Sequence, residues 1–422
     1  MSLELPDFHS FDSTVAALFS RVRGHIEPGA HRMQTLMRAD TIEILSEIPT
    51  ILVAGTNGKG TTCALLEQSF RDAGYRTALY TSPHLVSPTE RIRLNGSPIS
   101  KEIFLDSARL SFDLAKVRLP DATFFELMTA IALAVISQEK IEIFICEVGL
   151  GGRLDSTNIL NPRTSVLTSV GLDHTEWLGS NEDAIAFEKS FVSRRNRGFV
   201  IGEVSEVARR GIEKAIHITG AAPIFLPCET DPFKAAESIA RVVVENFSET
   251  GKPKISPENV STAKQRFFWP GRFDIRRIDE TTVLFDAAHN AHGVDFLMRQ
   301  CSDKEKAMNL PRPWILVYAT LGDKDWQTSI DKLHSHFEEL HFTQTLSPRA
   351  VHPEALLQYT CSISPGSCSS GYGESSDALM SGLKSARQKK GTLFILGSIT
   401  LLGEAMEFFS IPVFPSHGPA SK

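Results

Sequence analysis

Short apolar runs alternate along the chain with longer stretches of helical periodicity. In the first part, apolar runs occupy 51–54, 77–80, 141–148 and 165–170, and helical patterns cover about 60–73, 101–117 and 124–138. Strands that alternate with helices predict a mostly parallel sheet with helices on both faces.

A second α/β pattern begins near residue 281. Apolar runs lie at 281–285, 314–319 and 392–396, with helical patterns at 293–301, 324–339 and 375–389. The low-complexity segments 302–313 and 362–376 are predicted to be loops. The segment 270–280, a Pro-Gly pair followed by RFDIRRIDE, is the predicted boundary. We therefore expect two domains, at 1–275 and 282–422.

Composition narrows the class of protein. The 422 residues carry a net charge of −6, which argues against nucleic-acid binding by bulk charge. The longest nearly apolar run, 127–136, is too short to span a bilayer, and the acidic N-terminus does not resemble a signal peptide. Six cysteines without a C-x-x-C pair are typical of reduced thiols. We expect a cytoplasmic monomer with no membrane or nucleic-acid partner.

The first chemical signal is VAGTNGKGTT at 53–62, which follows a predicted strand and opens a predicted helix. In that context glycines let main-chain N–H groups approach an anion at the helix N-terminus. The strict G-x-x-x-x-G-K-[ST] form is not met, because Val53 replaces the first glycine and Gly60 follows the lysine. An ordinary glycine-rich turn is the alternative. The predicted phosphate-contacting residues are Gly55, Thr56, Asn57, Gly58, Lys59, Gly60 and Thr61.

Polar residues follow three more predicted strands. Glu147 ends one strand, Ser82 follows another, and His174 follows a third. Ligands of open α/β sheets bind at such carboxyl ends, and oxygen donors suit Mg²⁺. Imidazole is softer than the ligands Mg²⁺ prefers, and a helix cap for Ser82 or a turn position for His174 is the alternative.

A family resemblance rests on these motifs and on further blocks. GTNGKGT resembles the loop of the folylpolyglutamate synthase and dihydrofolate synthase family, relatives of the Mur ligases. The other matching blocks, in order from residue 80 to 404, are YTSPHL, ERIRLNG, TFFELMTA, EVGLGGRLDSTN, LDHTEWLG, EKS, WPGRF, DAAHN, GDKD and GSITLLGE. The resemblance implies a P-loop-containing, mostly parallel sheet domain of the Mur ligase type, followed by a smaller Rossmann-like α/β domain of the glutamate-ligase type.

The resemblance also implies a set of metal and nucleotide contacts. ATP is the expected nucleotide, with two Mg²⁺ ions and a monovalent cation. Ser82, Glu147 and His174 are the implied metal ligands, and Arg272 and Asp286 the implied further ATP contacts. Lys189, which from pattern alone would be a solvated helix residue, is implied to be carbamylated (N6-carboxylysine). EKSFV here replaces the usual E-K-A-G-[IV] around it.

Catalytic and substrate residues are implied in the same way. The implied catalytic residues are Lys59, Asp155, Lys189 and His289. The implied substrate-binding residues are Thr123, Phe125, Glu126, Leu154, Asp155 and Ser156. A core position for Phe125 and a turn position for Asp155 are the alternatives. The segment 26–29 falls where the family contacts pterin, although its residues match poorly.

The implied reaction is an ATP-driven ligation. L-Glutamate would be added to dihydropteroate, and to reduced folates, through an acyl phosphate with release of ADP and phosphate. A monofunctional folylpolyglutamate synthase is the alternative. A Mur-type peptide ligase is disfavoured by Gly60 and the TSPHL and TFFE blocks. A GTPase switch would need a guanine-reading N-K-x-D motif, and this chain has none where such a protein would place it. A nucleotide-binding protein without catalysis is a further alternative, and it would release no phosphate.

Overall fold

The computed structural model describes residues 5–23, 29–229, 231–249, 255–304 and 310–414. The predicted pterin-contacting segment 26–29 lies outside the described residues except for Gly29, and the middle of loop 302–313 also lies outside them. The chain forms two compact units that divide between Phe267 and Phe268. In the described part of the chain, no helix is long and apolar enough to cross a membrane.

The first unit is built on an eight-stranded sheet. Its strands are β1 (Thr50–Ala54), β2 (Thr77–Tyr80), β3 (Ile92–Leu94), β4 (Ser97–Pro98), β5 (Ile143–Glu147), β6 (Thr164–Leu167), β7 (Gly198–Ile201) and β8 (Ala222–Phe225). Their order is β4-β3-β2-β5-β1-β6-β7-β8. The six strands from β2 to β8 in this order are parallel, and β3 and β4 are antiparallel additions at one edge.

Eleven α-helices of the first unit are described. They are α1 (Phe11–Phe19), α2 (Ala30–Leu36), α3 (Ala39–Glu47), α4 (Lys59–Asp72), α5 (Lys101–Arg118), α6 (Phe124–Gln138), α7 (Thr175–Leu178), α8 (Glu182–Ser190), α9 (Glu206–Thr219), α10 (Pro232–Glu249) and α11 (Pro257–Gln265). Short 3-10 helices cover Ser20–Arg23, Pro88–Arg91 and Ser156–Ile159. Strands β1, β2, β5 and β6 are buried along their whole length, as expected of a parallel sheet covered on both faces.

The second unit has a six-stranded sheet. Its strands are β9 (Asp274–Ile278), β10 (Thr281–Asp286), β11 (Trp314–Tyr318), β12 (Glu339–Thr343), β13 (Ser369–Tyr372) and β14 (Thr392–Leu396), in the order β13-β12-β11-β14-β10-β9. Only β9 is antiparallel among these. The helices are α12 (Ala291–Lys304), α13 (Trp326–Leu333), α14 (Pro353–Ile363), α15 (Ser375–Gln388) and α16 (Ile399–Phe408), with a 3-10 turn at His334–His336.

The predicted fold class, mostly parallel α/β, is confirmed in both units. Two predictions within the second unit are wrong. The helix predicted over 324–339 ends at Leu333, and Glu339 begins β12. The loop predicted over 362–376 contains β13, which carries the residues SSGY at the edge of the sheet. A short polar edge strand lacks the apolar run by which strands are recognised in a sequence.

Candidate active site

The glycine-rich segment forms a phosphate loop at the carboxyl end of β1. The chain leaves the buried strand at Ala54 and enters α4 at Lys59. Gly58, the residue before the helix, has φ +82°, a left-handed conformation that side chains rarely adopt. The amino end of α4 therefore faces the loop, which is the arrangement that favours a bound phosphate.

Two residues that follow β6 hold this loop in place. The Thr56 N–H donates to the Ser169 carbonyl over 2.9 Å, and the Asn57 N–H donates to Ser169 Oγ over 3.0 Å. Thr168 Oγ1 donates to the Asn57 carbonyl over 2.6 Å. The sequence prediction did not include Thr168 and Ser169, although both follow a strand that ends at the same edge of the sheet.

Two lysines point their ammonium groups at the loop. Lys59 Nζ donates to the carbonyl oxygens of Gly55 and Thr56 over 2.9 and 3.1 Å. Lys189, buried on α8, donates to the Gly55 carbonyl over 3.1 Å. Burial, and secondarily the charge of Lys59, lowers the pKa of Lys189 to about 7. With a pKa of about 7, a large share of the Lys189 amine is unprotonated at neutral pH, which is the form that nucleophilic attack requires.

Glu147 and Ser82 meet at the carboxyl ends of the strands beside β1. Glu147 is the last residue of β5 and is buried, with 4% of its surface exposed. Its Oε2 accepts a hydrogen bond from the Ser82 N–H over 3.0 Å. The register pairs Glu147 with Val53, directly before the phosphate loop. Two of the three predicted metal ligands are therefore neighbours at the same sheet edge.

His174 lies in the segment between β6 and α8. It has a left-handed backbone and caps the short helix α7, and its side chain is half exposed beside Asp173, with Nε2 3.6 Å from Asp173 Oδ2. Across the described ranges, no group of three His, Cys, Asp or Glu side chains is placed to hold a metal ion. The role of His174 as a ligand stays a prediction.

The loop after β5 packs against the end of α8. A Cβ on Gly152 would lie 2.6 Å from the Lys189 carbonyl oxygen and 2.8 Å from that of Glu188. Arg153 follows, and its guanidinium pairs with the Glu188 carboxylate at 2.8 Å. The loop therefore fixes the position of the helix end that carries Lys189.

Asp155 is buried in the same loop and is fully engaged locally. Its carboxylate accepts from the main-chain N–H groups of Leu150 and Thr157 over 2.8 and 2.9 Å, and from the Thr157 hydroxyl. Burial raises the pKa of this carboxyl above its ordinary value. Ser156 beside it is buried, whereas Leu154 is exposed. The turn-forming interpretation of Asp155 accounts for these contacts.

Thr123 and Glu126 form a capping box at the start of α6. Glu126 also receives a two-pronged ion pair from Arg32 on α2, with Nε–Oε1 and Nη2–Oε2 distances of 2.6 and 3.2 Å. Both side chains are at most 7% exposed. Arg32 is a further residue that the sequence prediction did not identify.

Phe125 projects from the same helical turn onto the loop after β5. A Cβ on Gly149 would lie 2.2 Å from its ring, so the ring lies directly against that glycine. The Phe125 ring also lies near Tyr80, at a centroid distance of 6.4 Å. The start of α6 and the loop after β5 therefore form one continuous wall beside the carboxyl edge.

The predicted nucleotide contacts of the second unit lie together around the end of β10. Asp286 Oδ2 and Oδ1 accept from the main-chain N–H groups of Phe273 and Ala288 over 2.7 and 2.8 Å. Burial raises the pKa of Asp286, and the charge of Arg272 opposes that rise. His289 Nδ1 lies 2.8 Å from the Ala287 carbonyl oxygen. The cluster therefore places a carboxylate, a guanidinium and an imidazole at the carboxyl end of one strand.

A phosphate loop beside a buried carboxylate and a buried lysine, on a mostly parallel sheet, defines an ATP-dependent ligase of the Mur type. Residues 53–220 match the Mur ligase middle domain model. Over 414 residues the chain is 30% identical to the dihydrofolate synthase/folylpolyglutamate synthase of Escherichia coli K12, covering 90% of this chain and 91% of that protein. The chain belongs to the dihydrofolate synthase/folylpolyglutamate synthase family.

Solved structures show the same fold. E. coli FolC in complex with DHPP and ADP superposes with a TM-score of 0.80 at 27% identity, covering 96% of this chain and 99% of that one. The bifunctional folylpolyglutamate synthase/dihydrofolate synthase from Yersinia pestis, complexed with AMPPNP and Mn, gives 0.80 at 26% identity, with the same coverage. The expected family and fold are thus confirmed.

Proposed function

We propose that this chain adds L-glutamate to dihydropteroate and to reduced folates, using ATP. The observation that carries the proposal is the grouping of Lys59, Lys189 and Glu147 around one phosphate loop. Support comes from the relatives, whose solved structures contain DHPP and ADP, or Mn, AMPPNP and L-glutamate.

The chemistry assigns a task to each group. The carboxylate of the acceptor attacks the terminal phosphorus of ATP, and the bond to ADP breaks. The amine of glutamate then attacks the acyl carbon of the resulting acyl phosphate, the C–N bond forms, and phosphate leaves with the C–O bond electrons. Lys59 and the N–H groups at the start of α4 neutralise the charge on the transferring phosphate.

A divalent cation fits the donor set at this edge. Glu147 offers a buried carboxylate, Ser82 a hydroxyl and a carbamylated Lys189 a further oxygen pair, all hard donors that Mg²⁺ prefers. His174 with Asp173 would complete the set from the neighbouring segment. Such an ion supplies charge neutralisation of the phosphate oxygens. Two Mg²⁺ ions and a monovalent cation are part of the same proposal.

The acceptor is assigned to the wall formed by α6 and the loop after β5. Phe125 and the exposed Leu154 offer apolar surface for a flat heterocycle, beside Thr123 and Ser156. Glu126 and Asp155 are occupied by internal hydrogen bonds, so their contribution is to hold this wall in shape.

The second unit is assigned the remaining nucleotide contacts. Arg272 and Asp286 would bind ATP, and His289 would act near the transferred group, as the family motifs imply. On this proposal residues 1–275 are the ATP-binding domain and residues 282–422 the glutamate-ligase-type domain. The chain divides into two compact units, which supports a separation into two domains, and the division between Phe267 and Phe268 places Arg272 in the second unit.

Phosphate release tests the function directly. With ATP, Mg²⁺ and L-glutamate, the expected result is release with dihydropteroate and also with tetrahydrofolate as acceptor. Release with tetrahydrofolate alone identifies the monofunctional folylpolyglutamate synthase instead. Turnover only with a UDP-sugar peptide would contradict the proposal, and so would ATP binding without release for any of these acceptors.

A further inference from the structure

A pocket of about 480 Å³ opens at the amino ends of strands in the first sheet, on the side opposite to the carboxyl ends that carry the candidate active site. Thr50, Gly198 and Ala222, the first residues of β1, β7 and β8, line it. The phosphate loop follows the other end of β1. At about 3.3 Å per residue, the five residues of that strand separate the two places by about 15 Å. The pocket is therefore distinct from the candidate active site.

The pocket is lined by hydrogen-bond donors from several directions. Arg163 precedes β6, and Asn196 and Arg197 precede β7, while Asn246 reaches the pocket from α10. Among the described residues, the lining includes one carboxylate, that of the exposed Glu47 at the end of α3. The described lining thus carries two guanidiniums and one carboxylate, in a chain of net charge −6.

The Arg197 guanidinium is held in a defined orientation by two main-chain carbonyls. Its Nη1 donates to the main-chain carbonyls of Asn161 and Pro162 over 3.0 and 2.6 Å. Within the described ranges, no carboxylate pairs with this guanidinium. Arg163 lies with its guanidinium 4.9 Å from the centre of the Phe247 ring. Arg163 and Arg197 directly precede Thr164 and Gly198, which pair with each other in the register of β6 and β7. The two cationic residues are therefore neighbours on adjacent strands, an arrangement that a bound anion stabilises. Burial, and secondarily the charge of Arg197, lowers the pKa of Arg163.

We propose that this pocket binds a phosphate group carried by a small molecule. Guanidinium groups match the geometry of phosphate oxygens. A tetrahedral oxyanion accepts hydrogen bonds from several directions, which suits donors that come from three separate segments. The volume exceeds that of a phosphate ion and lies in the range of ligand pockets, which leaves room for an organic group beside Ile48, Pro49 and Ala222. This site goes beyond the proposed function and does not depend on it.

Binding of inorganic phosphate to the full chain tests the proposal. The readouts are a dissociation constant from titration calorimetry and the phosphate-dependent rise in the unfolding temperature, with acetate at equal ionic strength as the salt control. Phosphate at the loop beside Lys59 contributes equally in every variant of the pocket. Phosphate binding at the pocket is therefore obtained as the difference in binding between the wild type and the pocket variants.

Two variants remove the site in different ways. Arg197→Gln deletes a charge-assisted contact and should weaken phosphate binding at the pocket by about tenfold or more. Asn196→Asp places a carboxylate at the rim and should have the same effect. Its left-handed backbone, with φ +57°, tolerates Asp as it does Asn, so this variant is decisive should Arg197→Gln not fold.

Two further variants complete the test. Glu47→Gln removes the one lining carboxylate and should tighten phosphate binding. Arg195→Gln changes an exposed arginine outside the pocket lining and should leave binding within about twofold of the wild type. Wild-type binding in both Arg197→Gln and Asn196→Asp, or an equal loss in Arg195→Gln, would overturn the proposal.

Discussion

Lys59 and Lys189 donate to one and the same acceptor, the carbonyl oxygen of Gly55, over 2.9 and 3.1 Å. Two ammonium groups that share a carbonyl repel each other, and the buried one gives up its proton more easily. The pKa of Lys189 falls to about 7 through burial first and the charge of Lys59 second. The loop thus brings Lys59, the proposed phosphate contact, next to Lys189, the residue proposed to be carbamylated.

The first prediction concerns Lys59. We expect Lys59→Met to lower turnover by about a hundredfold or more, because a charge contact to the transferring phosphate is lost. The measurement is steady-state phosphate release at saturating acceptor. Lys214→Met, which removes an exposed lysine paired with Asp183, is the control and should retain wild-type turnover. Near-normal turnover of Lys59→Met would exclude a phosphate-loop role.

The second prediction concerns Lys189. We expect Lys189→Ala to fold normally but to be nearly inactive, and added short carboxylates to restore part of the rate. Wild-type enzyme depleted of CO₂ should lose activity and regain it with bicarbonate, because an uncharged amine reacts with CO₂. Mass spectrometry under non-denaturing conditions should find one added CO₂, absent in Lys189→Ala. An active, metal-bound enzyme with an unmodified Lys189 would contradict this prediction.

The third prediction concerns Gly152. A methyl group there would lie 2.6 Å from the Lys189 carbonyl, which belongs to the main chain and cannot rotate away. We expect Gly152→Ala to lower the free energy of unfolding by about 1–3 kcal/mol, and to lower turnover further by displacing the end of α8. Gly373→Ala is the control, since its added Cβ meets nothing within 4 Å. Equal stability of the two variants in urea unfolding would contradict the close contact.

Much of the architecture could be predicted because the buried strands carry continuous apolar runs. The predicted strands 77–80 and 392–396 coincide with β2 and β14, and the predicted helix 124–138 coincides with α6. Lys189 lies on a helix as its pattern predicts, namely α8, which Asn181 caps. Three short strands were missed, because β3 and β4 have only 3 and 2 residues and β13 is polar, so none of them leaves an apolar pattern.

The candidate site was only partly predictable for a different reason. Motifs identified Lys59, Glu147 and Lys189, which the fold brings to one sheet edge. They did not identify Arg32, because an ion pair across about a hundred residues of chain leaves no local pattern. Nor does a motif show whether Asp155 faces a ligand or its own turn, which only the hydrogen bonds reveal.

The fourth prediction concerns the Arg32–Glu126 pair. Removing Arg32 leaves the buried Glu126 carboxylate without its ion-pair partner, so we expect Arg32→Met to cost about 3–5 kcal/mol of unfolding free energy. Glu126→Met should cost less, because Arg32 keeps its ion pair with Asp121 at 3.1 Å. The double variant should recover much of that loss. Either single variant should also raise KM for the acceptor, because the pair holds the turn that carries Phe125. If the double variant lost as much free energy of unfolding as the two single variants together, the two residues would not be coupled and the prediction would be wrong.

The exposed pair Arg38–Asp40 provides the control for that cycle. It also joins an arginine to a carboxylate, but in solvent, where ion pairs contribute little to stability. We expect Arg38→Met to leave both the unfolding transition and the acceptor KM unchanged. A loss as large as that of Arg32→Met would show that charge removal alone, and not burial of the pair, is responsible.

The fifth prediction concerns His341 in the second unit. This histidine is buried on β12, with Nδ1 3.1 Å from the Tyr372 hydroxyl and Nε2 3.3 Å from the Glu339 carboxylate. Burial lowers its pKa below the ordinary 6.5, although Glu339 opposes the shift. As the pH falls through 6.5, the unfolded chain therefore takes up a proton at this histidine more readily than the folded chain does. The free energy of unfolding of this unit must fall as the pH drops through that value.

We expect the stability lost between pH 7.5 and 5.5 to be larger in the wild type than in His341→Gln, because the lowered pKa of His341 is absent from the variant. The measurement is urea unfolding at both pH values, followed by the fluorescence of the buried Trp314 in the same unit. Because glutamine changes packing as well as charge, the pH-dependent difference is compared, not the absolute stability. His352→Gln, at a side chain 59% exposed, should keep the wild-type pH dependence. An unchanged dependence in His341→Gln would show that His341 does not remain neutral in the folded protein.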